Sequence, residues 1–198
     1  LRELSLHVLD LIENAVRAGA TSVAVTLEEQ PECDLLRLVV EDNGPGLEVT
    51  PEQATDPFFT TKEGKRTGLG LSLFRFRVEQ CGGELTMGRS PLGGLAVRAS
   101  LGLRNVDRSP LGDLASTLYG VVAGNPELEL RLQLRAGGQE RVLATGDLLR
   151  ELSGADGLAA GAGGPGLSVA PGKVSRLALA RELCLRIKEG LEALRIEE

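Results

Sequence analysis

The stretch Val40-Glu41-Asp42-Asn43-Gly44-Pro45-Gly46-Leu47 (VEDNGPGL) decides how this chain is read. Leu35 to Val40 (LLRLVV), just before the turn, is strand-like and carries β-branched residues. The strand runs straight into a glycine turn. Taken alone, that turn reads equally as a plain Asx-type hairpin. The segments on either side carry the stronger signal.

Upstream, residues 1–18 have helical spacing. Leu4, Val8, Leu11, Ile12 and Ala15 form one apolar face, and His7, Asp10, Asn14 and Arg17 form a second, polar stripe. Gly19 closes this helix in the left-handed region. Thr21 to Thr26 (TSVAVT) is a strand. Downstream, residues 51–55 make one helical turn, followed by the loop DPFFTTKEGKR over 56–66. A helix over Gly68 to Cys81 has Leu69, Leu73, Phe76 and Gln80 at helical spacing and stops at Gly82-Gly83. Strands at about 84–89 and 95–103 then meet across Gly93-Gly94.

From Arg104 the character changes. PLGDLASTLYGVVAG reads as a helix, LELRLQLRAGGQERVLAT as a hairpin turning at Gly137-Gly138, and TGDLLREL as a short helix capped by Thr145 or Asp147. Residues 154–172 hold seven glycines and five alanines, too little side chain for a core, and read as a linker or lid. An amphipathic helix over 173–196 closes the chain, with Val174, Leu177, Leu179, Leu183, Ile187 and Leu191 as its apolar face.

Composition narrows the class. Gly makes up 26 of 198 residues, nearly twice the usual share of roughly 7%, without the Gly-X-Y period of collagen. A net charge of −6 argues against duplex nucleic acid as a partner. No apolar run nears the roughly 18 residues of a membrane span, and no signal peptide opens the chain. Cys33, Cys81 and Cys184 are far apart, form no Cys-x-x-Cys and have His7 as the only histidine, which disfavours zinc or iron–sulfur centres. They read as buried or neutral thiols in a reducing cytoplasm. The chain begins at Leu1 rather than Met, which leaves upstream sequence open.

In order along the chain come an Asn on a polar helix face, a strand ending in Asp-x-Gly-x-Gly, a loop of Phe, Thr and Lys, and a Gly-x-Gly opening a second helix. This series resembles the Bergerat-fold ATPases, the superfamily of histidine kinases, type II topoisomerases, mismatch-repair ATPases and heat-shock chaperones. The matching segments are LDLIENAVRAGAT, VEDNGPGL, DPFFTTK and RTGLGLSL, and the resemblance spans about residues 4–102. It implies an α+β fold, a two-layer α/β sandwich with a mixed sheet, over residues 1–103, with a small α+β extension over 104–198. The implied cofactors are ATP and Mg²⁺.

Under this resemblance Asp42 accepts a hydrogen bond from the adenine amino group, which guanine, with a carbonyl there, cannot offer. Gly44 and Gly46 let the backbone approach the base and take positive φ. Asn14 ligates Mg²⁺ through its side-chain oxygen, and Arg17 matches a basic position that approaches the phosphates. Gly68, Leu69, Gly70 and Leu71 turn backbone N–H groups toward phosphate at a helix N-terminus. Thr60, Thr61, Lys62 and Arg66 add hydroxyls and charge. Asp10, one turn before Asn14, matches a general base that orients a water or hydroxyl for in-line attack; Glu13 ranks second.

Two departures stand out. The Gly-Thr pair that superfamily members often carry on a late strand, whose hydroxyl contacts the adenine-bound water, is Gly94-Leu95 here. The stretch between Asp42 and Gly68 is short, as in histidine kinases and unlike the long lids of topoisomerases. His7 lies inside the nucleotide helix, where it packs rather than accepts phosphate. A phosphoacceptor therefore lies upstream of Leu1, or the chain does not phosphorylate itself. Residues 104–198 loosely resemble the tails of stand-alone ATP-binding proteins associated with iron-only hydrogenase gene clusters. They have the form of a docking or homodimerisation module, or equally of an extension that completes the fold. The expectation is a cytoplasmic Mg-ATP-binding protein without nucleic-acid or membrane partners, transferring phosphate to an unidentified protein or hydrolysing ATP slowly. The alternative is a non-catalytic ATP-sensing module that regulates a partner, in which nucleotide orders the 56–67 loop.

Overall fold

Strands in which aliphatic and polar residues alternate bury one face and leave the other polar, because successive side chains point to opposite sides. The computed structural model describes residues 3–47, 50–55, 69–155 and 174–196. Its elements run α1 (Leu4–Arg17), β1 (Ser22–Gln30), β2 (Leu35–Asp42), a short α2 (Pro51–Ala54), α3 (Leu69–Gln80), β3 (Glu84–Arg89), β4 (Leu95–Gly102), α4 (Leu114–Gly124), β5 (Glu129–Ala136), β6 (Gln139–Ala144), α5 (Thr145–Ala155) and α6 (Arg176–Leu194). The strands form one sheet in the order β3-β4-β2-β1-β5-β6. Every neighbouring pair is antiparallel except β1 with β5, so the sheet is mixed as expected.

The register aligns Val97, Val40, Val25 and Leu132 across four strands. All four are buried beneath the helices. The opposite face carries charged pairs instead, Arg37 with Glu28 at 3.0 Å and Arg98 with Glu41 at 3.5 Å. Helices on one side and ion pairs on the other make a two-layer α+β sandwich. Among the described residues no helix is long and apolar enough to cross a membrane.

Residues beyond Arg104 add to this same sheet and core. β5 lies parallel to β1 over its length, and Leu118, Val122, Leu183 and Ile187 share one buried cluster with Val8 and Ile12 of α1. They also supply the start of α1. A helix leaves its first N–H groups without intrahelical partners, and Glu3 makes no side-chain cap. The N–H groups of Leu4 and Ser5 donate instead to the carbonyls of Pro110 and Leu111, each at 2.9 Å. At the far end of α4, Arg176 donates to the carbonyls of Val122, Asn125 and Leu128 at 3.0, 3.0 and 2.6 Å. Burial among them holds its guanidinium below the ordinary pKa.

Three local expectations change. The core face of α3 is Phe74 and Val78, both buried, while Phe76 is 53% exposed. Apolar residues at 69, 71, 73, 74, 76 and 78 offer more than one helical face, and the choice falls to Phe74 because it stacks on His7 of α1, centroids 4.6 Å apart. Thr145 is the first residue of α5, and its hydroxyl accepts the N–H of Leu130 at 3.0 Å, joining helix to strand rather than serving as a cap. Asp147, in the first turn of α5, pairs with Arg150. Leu177 is exposed at the start of α6. Of the cysteines, Cys81 is buried, with its thiol pKa raised by burial, Cys184 is half-buried and Cys33 is exposed. Of the linker expected over 154–172, the first two residues close α5 at Ala155, and the rest lies outside the described residues.

Asp113 caps α4 by accepting the N–H of Ser116 at 2.8 Å, and hydrogen bonding from the Ser116 side chain and then its backbone lowers the Asp113 carboxyl pKa. A carboxylate with a depressed folded-state pKa stabilises the protein above its unfolded pKa. That contribution is lost as pH falls through the lower, folded value. Asp113→Ala is therefore expected to cost about 1 kcal/mol at neutral pH, and the difference from wild type in chemical denaturation should shrink toward zero in acid.

Candidate functional site

Asp42 is the one buried carboxylate among the described residues, at 8% exposure. It ends β2, on the helix side of the sheet, where alternation would place another aliphatic residue. A buried charge needs hydrogen bonds, and the turn after β2 supplies them. Asp42 Oδ1 accepts the N–H of Gly44 at 2.8 Å and that of Leu95 at 3.2 Å. Both bonds fall on one oxygen. Asp42's own carbonyl accepts the N–H of Gly94 at 3.0 Å.

Gly94 is the residue this packing cannot replace. A β-carbon there would overlap Asp42 Oδ1 and lie 2.6 Å from Gly44 N and 2.7 Å from Asp42 O. Gly46 takes the expected left-handed conformation, φ +85°. Gly44 does not; its β-carbon would instead come within 3.1 Å of Asp42 Oδ1, so close approach is its reason. Asn43 locks the turn to β1. Its Oδ1 accepts the N–H groups of Thr21 and Ser22, both at 2.9 Å, and its Nδ2 donates to Thr21 Oγ1 at 3.0 Å.

The polar stripe of α1 lies alongside. Asp10 and Asn14 are half-buried, while Glu13 and Arg17 are exposed. Arg17 Nη1 donates to Asn14 Oδ1 at 3.1 Å. α3 opens with Leu69, Gly70 and Leu71, and Gly70 faces Asp10: a β-carbon on it would lie 3.6 Å from Asp10 Oδ2. The Asp42 turn in turn borders the end of α1, since a β-carbon on Gly44 would lie 3.6 Å from the Ala20 side chain. Asp10 is thus brought to the first turn of α3, and Asp42 to the residues following α1. Thr60, Thr61, Lys62, Arg66 and Gly68 lie outside the described residues. His7 is buried at 1% exposure and stacked on Phe74, a packing position as expected.

Sequence reasoning missed Asn43, and it met Gly94 and Leu95 only as the place of a Gly-Thr pair, not as the room and the backbone N–H that hold Asp42. A hint existed for Gly94, because a hairpin turn needs one glycine and Gly93, at φ +109°, already provides it. Oxygen donors at Asp10 and Asn14 suit Mg²⁺ in kind. Among the described residues no three His, Cys, Asp or Glu side chains converge as a metal site. Mg²⁺ needs none, because it keeps waters and substrate phosphates as ligands.

A family profile described as histidine kinase-, DNA gyrase B-, and HSP90-like ATPase matches residues 2–105, just over half of the chain. Among curated proteins the chain is similar to the sensor protein kinase CarS of Pseudomonas aeruginosa, 35% identical over 111 residues, 54% of this chain and 24% of that protein. It is also similar to the two-component sensor PprA of the same organism, 40% identical over 104 residues, with shares of 48% and 11%. The sensor protein KdpD of Escherichia coli is 35% identical over 97 residues, with shares of 47% and 11%. The matched stretch thus spans a quarter or less of these relatives. A solved catalytic domain of histidine kinase ThkA aligns at a TM-score of 0.43 and 28% identity, over 52% of this chain and 68% of that one. The chain belongs to the histidine kinase-, DNA gyrase B- and HSP90-like ATPases, and is an ATP-binding module of the kinase type.

Proposed function

We propose that the chain uses Mg-ATP for phosphotransfer to a protein partner or for slow ATP hydrolysis. The supporting observation is Asp42, a carboxylate kept buried by two backbone N–H groups that both bond one oxygen. The other oxygen takes the adenine amino group. Asn14 turns its side-chain oxygen to the metal once Arg17 leaves it, and Arg17 moves to the phosphates. Asn14 would hold Mg²⁺, which when bound would offset the charge of the phosphates. The N–H groups of Gly68, Leu69, Gly70 and Leu71 meet the phosphates at the start of α3, where the helix dipole favours anions. Thr60, Thr61 and Lys62 belong to the same reading. Asp10, beside Gly70 and one turn before Asn14, takes the proton from an attacking hydroxyl or water as ADP leaves. Residues 1–103 form the nucleotide unit, and 104–198 complete its sheet and hold α1.

A second reading, an ATP-sensing module without turnover, draws support from the burial of His7. The chain's sole histidine is closed off as a phosphoacceptor, so any transfer needs a separate acceptor. A cytoplasmic setting and a homodimer through the extension fit either reading.

Three variants separate the parts. Asp42→Asn removes a charged acceptor and should weaken ATP binding by 1.5–3 kcal/mol, roughly ten- to a hundredfold by calorimetry; unchanged affinity would show that Asp42 does not read the base. Gly94→Ala forces the carboxylate off its donors. It should lower ATP affinity about tenfold and cost about 1–3 kcal/mol of stability, as overpacking does. Asp10→Asn should bind ATP normally while release or transfer of γ-label falls by about 10²–10⁴. Tight Mg-ATP binding with no turnover in wild type, with or without partner proteins, would leave only the sensing module.

A further inference from the structure

β6 ends the strand order, so β5 alone pairs with it. Gly137 and Gly138, both at positive φ, form the two-residue turn before it, which makes Ala136 and Gln139 a hydrogen-bonded pair. Alternation then points the backbone N–H and C=O groups of Arg141 and Leu143 toward β5 and those of Glu140 and Val142 toward the free edge. Residues 139–142 are exposed. On the open face of the sheet Glu140 meets Arg135 at 3.3 Å. Arg141 and Leu143 lie on the helix face, opposite the buried Leu134 and Leu132. Arg141 takes part in none of the ion pairs among the described residues. A groove of about 340 Å³ runs along this edge, lined by the hydrocarbon of Leu143 and Leu148 and the charges of Asp147, Arg150, Glu151 and Arg186. Its two arginines meet three carboxylates: Arg150 pairs with Asp147, and Arg186 pairs with Glu151 at 2.8 Å and Glu182 at 2.7 Å. One more cation would balance the groove. All of this lies beyond the residues that the family profile matches.

We propose that a second copy of this chain docks here, β6 against β6 in antiparallel pairing about a two-fold axis, with Arg141 of each copy entering the groove of the other. This gives the homodimer named above its surface, and it is independent of what the nucleotide site does. Charge selects the register. Centring the axis on Glu140 or on Arg141 sets like charges directly opposite, which destabilises a strand pair. Centring it on Val142 sets Val142 against Val142 through the outward-pointing backbone groups. Glu140 then falls opposite Ala144, and Arg141 falls opposite Leu143, beside the groove that holds one carboxylate in excess. The contact is self-complementary, as a two-fold interface must be, and it joins the two sheets into one.

Sedimentation of the purified full chain tests this, with a cooperative thermal melt to show that each variant is folded. The wild-type chain should associate as a dimer. Arg141→Glu adds a fourth carboxylate at each groove and should weaken the dimer at least about tenfold. Adding Glu151→Arg to it should restore affinity to within about threefold of wild type. Cross-linking by diamide reads the register in a Cys33→Ser background, since Cys33 is exposed. Val142→Cys should cross-link, because a hydrogen-bonded pair holds its Cα atoms about 5.5 Å apart, within disulfide reach, whereas Glu140→Cys should not. A wild-type monomer at every concentration would overturn the inference and leave the edge to an extended segment of another protein. A dimer that Arg141→Glu leaves intact, or that cross-links at 140 rather than 142, would overturn it as well. No restoration by Glu151→Arg would remove Arg141 from the groove. Should Arg141→Glu fail to melt cooperatively, the cross-link decides alone.

Discussion

A carboxylate buried at the end of a strand survives only where backbone amides converge on it, and much of this molecule is arranged around Asp42. Desolvating such a charge costs several kcal/mol unless hydrogen bonds replace the lost water. Here the replacement comes from Gly44, two residues on, and Leu95, fifty-three residues on. The second donor requires β4 to lie beside β2 and the chain at Gly94 to touch the carboxylate. No residue with a side chain fits at that point. Asn43 then fixes the same turn to the start of β1. A strand end, a hairpin end and a strand start are thereby bound into one rigid corner.

α1 carries two duties on two faces. Val8, Leu11, Ile12 and Ala15 anchor it in the core, while Asp10 and Asn14 stay half-buried on the polar stripe. Its start is closed by the carbonyls of Pro110 and Leu111, so the second half of the chain helps hold the helix that carries the site. β5 does the same for β1, covering an edge that would otherwise show unpaired backbone groups. The family resemblance stops near residue 105, but the sheet and the core continue past it.

Much of the secondary structure could be read from pattern alone, because strand alternation and helix periodicity are local consequences of backbone geometry. The strands around the glycine turn, the hairpin at Gly137-Gly138 and the stripes of α1 all emerged this way. α3 did not yield its buried face, since apolar residues occupy several of its sides and the stacking of Phe74 on His7 makes the choice. Thr145 looked like a cap because hydroxyls at helix starts usually serve there. Its actual partner, Leu130, sits on a strand fifteen residues earlier, and no local rule points to it.

The sequence by itself determined the family, the order of motifs and the identity of Asp42 as the charged end of a strand, because each depends on residue type and short spacing. Tertiary structure decided how that charge is tolerated and what surrounds it. Gly94 and Leu95 read as a turn and as the place of a Gly-Thr pair; only with β4 beside β2 does one supply room for the carboxylate and the other a backbone hydrogen bond. The reason is physical: periodicity is set by neighbours in the chain, whereas a buried carboxylate is satisfied by neighbours in space.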